Sequence, residues 1–145
     1  AVESEDVAAA MFRTGAGTLA SLTVSQVSAG RHNRLWFEID GANASVAFNQ
    51  EDAERLWIGL PEQREEIFVR GPGAGSAEQR RLSPLPAGHA QGYGQCFEAF
   101  VADTYRAIEG ERPQGLPTFE DGLRSARIVD RVIASARSRT WTAIG

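Results

Sequence analysis

The sequence of 145 residues contains no lysine; all 15 of its basic side chains are arginines. That excludes Schiff-base chemistry, a lysine general acid and a Walker-type phosphate lysine within this chain. It has a single cysteine, Cys96, so no internal disulfide can form and no oxidising compartment is implied. Beside Phe97 on an expected helix, Cys96 reads as a small buried hydrophobe. No apolar run approaches the length of a membrane-spanning helix, and no signal-peptide pattern opens the chain. Formal net charge is −4 and no segment gathers arginines on one face, so neither nucleic-acid nor membrane binding is expected. A cytoplasmic location is the default expectation.

Self-contained catalytic sets are equally scarce. The two histidines, His32 and His89, lie far apart, and with Cys96 they make no paired metal-ligand spacing, so no metal site is expected. A Gly-x-Ser-x-Gly elbow is absent, which leaves nucleophilic hydrolysis without support. Gly15-Ala16-Gly17 and Gly71-Pro72-Gly73-Ala74-Gly75 are glycine-rich. Neither is expected between a strand and a helix, so neither reads as a dinucleotide fingerprint. The adjacent carboxylates Glu65-Glu66 and Glu120-Asp121 suit solvated structural roles. No catalytic residue is assigned.

What is present is pattern. Strands are expected from Asp6 to Phe12, within Thr18 to Ser28, and from Leu35 to Asp40, where Leu35, Phe37 and Ile39 alternate with polar or aromatic neighbours. Ser45 to Asn49, Arg55 to Leu60 and Glu66 to Arg70 supply three more. Connections this short favour antiparallel pairing. After irregular sequence from Gly71 to about Gly92, Phe97, Phe100, Val101, Thr104 and Ile108 fall at helical spacing, with Gly110 placed to end the helix. A second helix starts near Thr118, with Glu120 and Asp121 suiting its positive end. Its apolar stripe includes Leu123, Val129, Val132 and Ile133. Trp141 to Ile144 reads as a closing strand.

Strands first and helices second give a single α+β domain over residues 1–145. The expected architecture is an open-faced, largely antiparallel sheet with the two C-terminal helices packed on one face. Trp36 and Trp57 are out of phase with their apolar neighbours; if they point away from the helices, that face has a partner.

Two polar segments could hold a polyhydroxylated ligand. Gln26, Ser28, Arg31, His32, Asn33 and Trp36 gather amide, hydroxyl, guanidinium, imidazole and indole groups around one junction. In Gly88-His89-Ala90-Gln91-Gly92-Tyr93, glycines could let His89 and Tyr93 project. The same residues also suit an ordinary polar turn and a lead into a helix.

Four stretches, in this order and spacing, carry a resemblance over nearly the whole chain. They are Glu5-Asp6-Val7-Ala8 through Phe12 to Gly15-Ala16-Gly17, and Ser25-Gln26-Val27 through Gly30-Arg31-His32-Asn33-Arg34-Leu35 to Gly41. Phe48-Asn49-Gln50-Glu51 with Arg55-Leu56-Trp57-Ile58-Gly59 follows. Gly88-His89, Gly92-Tyr93 and Phe97, continued by Thr118-Phe119-Glu120-Asp121-Gly122-Leu123 and Ser135-Ala136-Arg137, complete it. The chain resembles the C-terminal domain of the Gfo/Idh/MocA oxidoreductases, the family of glucose–fructose oxidoreductase and inositol dehydrogenases.

The resemblance implies an open sheet that helps cover a sugar or polyol substrate and forms a homodimer contact. It also implies an N-terminal Rossmann domain, absent from these residues, that binds NAD or NADP. The family's Glu-Lys-Pro motif maps to nothing here, so the isolated piece is expected to be inactive and to bind no cofactor by itself. Arg31, His32, Asn33, His89 and Tyr93 are the substrate-side candidates the resemblance leaves. The rival expectation is a stand-alone, non-catalytic oligomerisation or ligand-binding module.

Overall fold

The computed structural model describes residues 5–145, so the expected single domain is followed from Glu5 onward. The architecture is α+β, with antiparallel strands first and helices after. Within it the chain divides into two compact units. One comprises the described residues up to Arg31 together with Pro117–Gly145; the other is His32–Leu116.

In the first unit, strands β1 (Val7–Arg13) and β2 (Leu19–Ser25) form a two-stranded antiparallel sheet, in register from Val7 opposite Ser25 to Arg13 opposite Leu19. The turn between them is tied by the Thr18 amide, which donates to Thr14 Oγ1 at 3.1 Å, and by Gly17, whose φ of 89° glycine tolerates best. Ala8, Ala10 and Phe12 share one face with Leu22 and Val24, as the period of two requires.

Helix α3 (Phe119–Ser138) belongs to the same unit. Thr118 caps it as the sequence indicates: its hydroxyl accepts from the Asp121 amide, and the Asp121 carboxylate accepts from the Thr118 amide at 3.0 Å. The buried side of α3 is rotated from the expected stripe. Ile128, Val132 and Ile133 are half-buried, whereas Leu123 and Val129 remain exposed. A groove of about 750 Å³ runs between α3 and the β1–β2 hairpin, lined by Met11, Leu22, Val24, Ile128, Val132 and Ile144 among others.

The closing strand expected at Trp141 to Ile144 does not form. Arg139 takes the left-handed conformation at the helix end, and Ser135 Oγ donates to the Thr140 carbonyl at 2.7 Å. Trp141, Thr142 and Ile144 line the groove. The Arg13 guanidinium lies 5.6 Å from the Trp141 ring centroid, a cation–π contact.

In the second unit, β3 (Trp36–Asp40), β4 (Ser45–Asn49), β5 (Arg55–Leu60) and β6 (Arg64–Val69) form an antiparallel sheet in sequence order. The strands therefore make two separately hydrogen-bonded sheets where one was expected. Register places Phe37, Phe48, Leu56 and Phe68 in one cross-strand row, with the Phe37 and Phe48 rings 5.5 Å apart. Glu38, Ala47, Trp57 and Ile67 form a row on the opposite face. Trp36 pairs with Asn49, so both tryptophans lie on that second face, as their phase suggested. Glu62 and Gln63 have φ of 62° and 58° in the turn joining β5 to β6.

Two helices complete this unit. The stretch from Gly71 to Gly92, expected to be irregular, contains the short helix α1 (Ala77–Arg81). Ser76 and Gln79 close a capping box at its start, a signal present in the sequence. Helix α2 (Tyr93–Ile108) follows. Its apolar residues Phe97, Phe100, Val101 and Ile108 are exposed, while its protected side carries Ala99, Asp103 and Ala107. Cys96 is exposed, correcting the expectation of a buried hydrophobe; it stands one residue before Phe97, on the open side of the helix.

Asp103 is the best-shielded charge described, at 8% side-chain exposure. Arg81 grips it with both terminal nitrogens, at 2.9 and 3.0 Å, and Arg106 adds a bond at 3.3 Å. Fork-shaped pairing of this kind offsets the desolvation of a buried carboxylate. The Asp103 bonds, helped by Glu78, raise the Arg81 pKa above its ordinary value. Among the described residues no hydrophobic side chain is fully enclosed.

Candidate functional site

The segment that enters α2 is held by one ion pair. Glu54 stands just before β5 and Arg70 just after β6, one step beyond the paired residues Arg55 and Val69. Their backbones bond as well, the Arg70 amide donating to the Glu54 carbonyl at 2.9 Å. The hairpin therefore delivers the two side chains to the same place. Arg70 donates through Nε and Nη2 to the Glu54 carboxylate, the shortest bond being 2.6 Å.

The remaining reach of the guanidinium goes to the loop. Nη1 donates to the Leu85 carbonyl and Nη2 to the His89 carbonyl, each at 2.8 Å. Glu54 Oε1 in turn accepts the Gln91 amide at 2.9 Å. Side-chain exposure is 15% for Arg70 and 25% for Glu54, so water competes weakly for these bonds. The Arg70 bonds first, and the Gln91 amide second, hold the Glu54 pKa below its ordinary value.

Of the five candidates, His89 and Tyr93 lie on this anchored segment. Both are exposed, Tyr93 at 79%, and the Tyr93 ring rests against Phe97 with centroids 4.7 Å apart. The His89 amide donates to the Pro86 carbonyl at 3.1 Å, which fixes its backbone further. His32 and Asn33 lie in the same unit, also exposed. Their anchor is different: the Gln50 side chain donates to the Asn33 carbonyl at 2.7 Å, and the Gln50 amide to the Leu35 carbonyl at 2.9 Å. Arg31 closes the first unit, its amide donating to the Ser28 carbonyl at 3.2 Å. The five thus divide between two units and, within the second, between two anchors.

Glu54 and Arg70 were not singled out from the sequence. Opposite charges flanking a hairpin were visible there. The main-chain groups they hold, remote in the chain, were not.

The glycine-rich turns answer whether these residues could hold a dinucleotide. Gly15-Ala16-Gly17 joins two antiparallel strands. Gly71–Gly75, contrary to expectation, does lie between a strand and a helix, β6 and α1. That helix has only five residues, it follows a strand paired antiparallel, and Ser76 Oγ already accepts the Gln79 amide of its first turn. A pyrophosphate needs free amides at the start of a helix that follows a parallel strand. The described residues do not fit a nicotinamide dinucleotide. No group of three or more metal-ligating side chains is present among them either.

The fold and the sequence also have known counterparts. The model of an oxidoreductase family's C-terminal alpha/beta domain, that of the Gfo/Idh/MocA proteins, matches residues 1–144. The chain belongs to this family. Levoglucosan dehydrogenase of Pseudarthrobacter phenanthrenivorans is 30% identical over 143 residues, which cover 97% of this chain and 36% of that protein. A structure of levoglucosan dehydrogenase in complex with NADH and L-sorbose superposes with a TM-score of 0.84 at 28% identity, over 99% of this chain and 38% of that one. An oxidoreductase domain protein from Kribbella flavida gives a TM-score of 0.83 at 28% identity, with 99% of this chain and 39% of that one covered. This Gfo/Idh/MocA domain therefore spans less than two fifths of the length of these relatives.

Proposed function

We propose that this chain is the substrate-facing domain of an NAD(P)-dependent dehydrogenase that oxidises a hydroxyl of a sugar, sugar derivative or cyclitol. The observation that carries the reading is the match along 99% of the chain to levoglucosan dehydrogenase bound to NADH and L-sorbose. The domain supplies shape and polar contacts, and the dinucleotide is held by residues outside those described. His89 and Tyr93, projecting from an anchored segment, are the best-placed donors and acceptors for a polyol. His32, Asn33 and Arg31 are further candidates on the substrate side. Among the described residues no helix is long and apolar enough to cross a membrane; a cytoplasmic site of action is part of the same proposal.

The same reading gives the sheet a partner, a second copy of the chain. Trp36 is 49% exposed and Ile67 52% exposed on the face they share with Trp57. Exposed apolar surface of this kind marks an interaction site. The rival reading, an assembly module that meets no small ligand, draws on that face alone.

The test is to express the complete encoded protein and follow NAD⁺ and NADP⁺ reduction with levoglucosan, other sugars and inositols. Reduction with at least one of them is expected. A complete protein that self-associates but reduces neither nucleotide with any polyol would establish the assembly module instead.

A further inference from the structure

We infer that Glu54 and Arg70 are positioning residues for substrate affinity: their ion pair fixes the main chain of the segment bearing His89 and Tyr93. The inference rests on the reading of that segment as substrate-facing. It adds residues that meet no ligand themselves.

Physical chemistry supports the role in three steps. First, the pair sits at the open end of the β5–β6 hairpin, whose register runs without a break from Arg55 opposite Val69 to Leu60 opposite Arg64. A clamp fixed to a sheet transmits the rigidity of the sheet. Second, its bonds go to main-chain atoms of the segment on both sides of His89: the Leu85 carbonyl before it, the His89 carbonyl itself, and the Gln91 amide after it. Main-chain bonds set where a residue sits and leave its side chain free for other work. His89 and Tyr93 are indeed exposed. Third, the planar fork holds two nitrogens at separate places, Nη1 at the Leu85 carbonyl and Nη2 between Glu54 and the His89 carbonyl. A lysine has one nitrogen, which could neutralise Glu54 but could not occupy both places.

A loop that must be ordered when ligand arrives spends part of its binding free energy on that ordering. Loss of the clamp should therefore appear in KM while the chemical step, performed elsewhere, is left nearly unchanged.

The experiment uses the complete protein as wild type, Arg70→Lys and Glu54→Gln. Hydrogen exchange is read peptide by peptide, with KM and kcat for the best polyol. Both variants should keep the wild-type exchange of β3 and β4, which shows that the sheet is folded. Exchange across residues 85–93 should rise on the order of tenfold. KM should rise about tenfold with kcat within about twofold of wild type. Unchanged exchange at 85–93 in both variants overturns the clamp. Raised exchange with unchanged KM overturns its positioning role. Wild-type protein that oxidises no polyol sinks the functional reading and the positioning role with it, and exchange then reports on the clamp alone.

Discussion

The six-membered ring of Trp57 fills the space above Gly59, two residues further along the same face of β5. Its indole Nε1 donates to Glu65 Oε2 at 3.0 Å, and Glu65 is the residue opposite Gly59 on β6. The ring is thus pinned at its polar edge and admitted by the missing side chain beneath it. A Cβ at position 59 would collide with the ring.

Gly59→Ala should therefore displace Trp57 and destabilise the sheet by about 1–3 kcal/mol. The change is measured as a fall in the midpoint of denaturant unfolding together with a shift in tryptophan emission. The same substitution in a Trp57→Ala background should cost much less, because nothing then occupies the space. Equal costs in the two backgrounds would refute the packing argument.

The Glu54 carboxyl should titrate visibly through its neighbour. Its pKa lies below the ordinary value of 4.5, so the ion pair is fully formed above that pH and is lost as pH falls through the lowered value. The Gln91 amide proton, bonded to Glu54 Oε1, should move upfield in that acidic window and nowhere between pH 5 and 8. A midpoint at or above 4.5 in an NMR titration would contradict the assigned bonds.

Asp103→Ala should cost about 1–3 kcal/mol, since it removes the shared acceptor of two arginines from a shielded site. The arginines are 30% and 38% exposed and can regain water, which keeps the loss below that of a fully buried pair. Glu111→Ala, at the exposed end of the same network, should leave the unfolding midpoint within experimental scatter. Thermal melts of the two variants side by side decide it.

Thr118→Ala should destabilise α3 by about 1 kcal/mol, the usual cost of a lost N-cap. Thr118 also lowers the Asp121 pKa from its ordinary value of 3.8, chiefly through its amide and then its hydroxyl. The variant should accordingly show a higher Asp121 midpoint than wild type. An unchanged midpoint would contradict the bond that the hydroxyl donates to the Asp121 carboxylate at 2.9 Å.

Local chemistry was legible in the sequence wherever period and cap residues agreed. Leu35, Phe37 and Ile39 alternate, and Thr118 stands three residues before Asp121; β3 and α3 follow. α1 escaped because five residues are too few for a periodicity, although Ser76 and Gln79 announced its start. Trp141–Ile144 misled in the opposite direction. Its residues favour strands, but the left-handed turn at Arg139 and the hydroxyl bonds around Thr140 commit the tail elsewhere. The candidate site was legible as residue types and not as an arrangement. Nothing in the local sequence says that Gln50 holds Asn33 or that Arg70 holds His89.

The ion pairs described here all use guanidinium groups, and this has a bearing on tolerance to alkali. Both Arg81 and Arg106 keep their protons beyond the ordinary arginine range, Arg81 through Asp103 and Arg106 through Glu111. In a protein that mixes lysines and arginines, some bridges dissolve as the ammonium groups lose charge near pH 10. Here no such group exists. The network has an acid limit, set by its carboxylates, and no counterpart near pH 10. Until the guanidinium groups themselves deprotonate, base would have to unfold this domain by some route other than neutralising its cations.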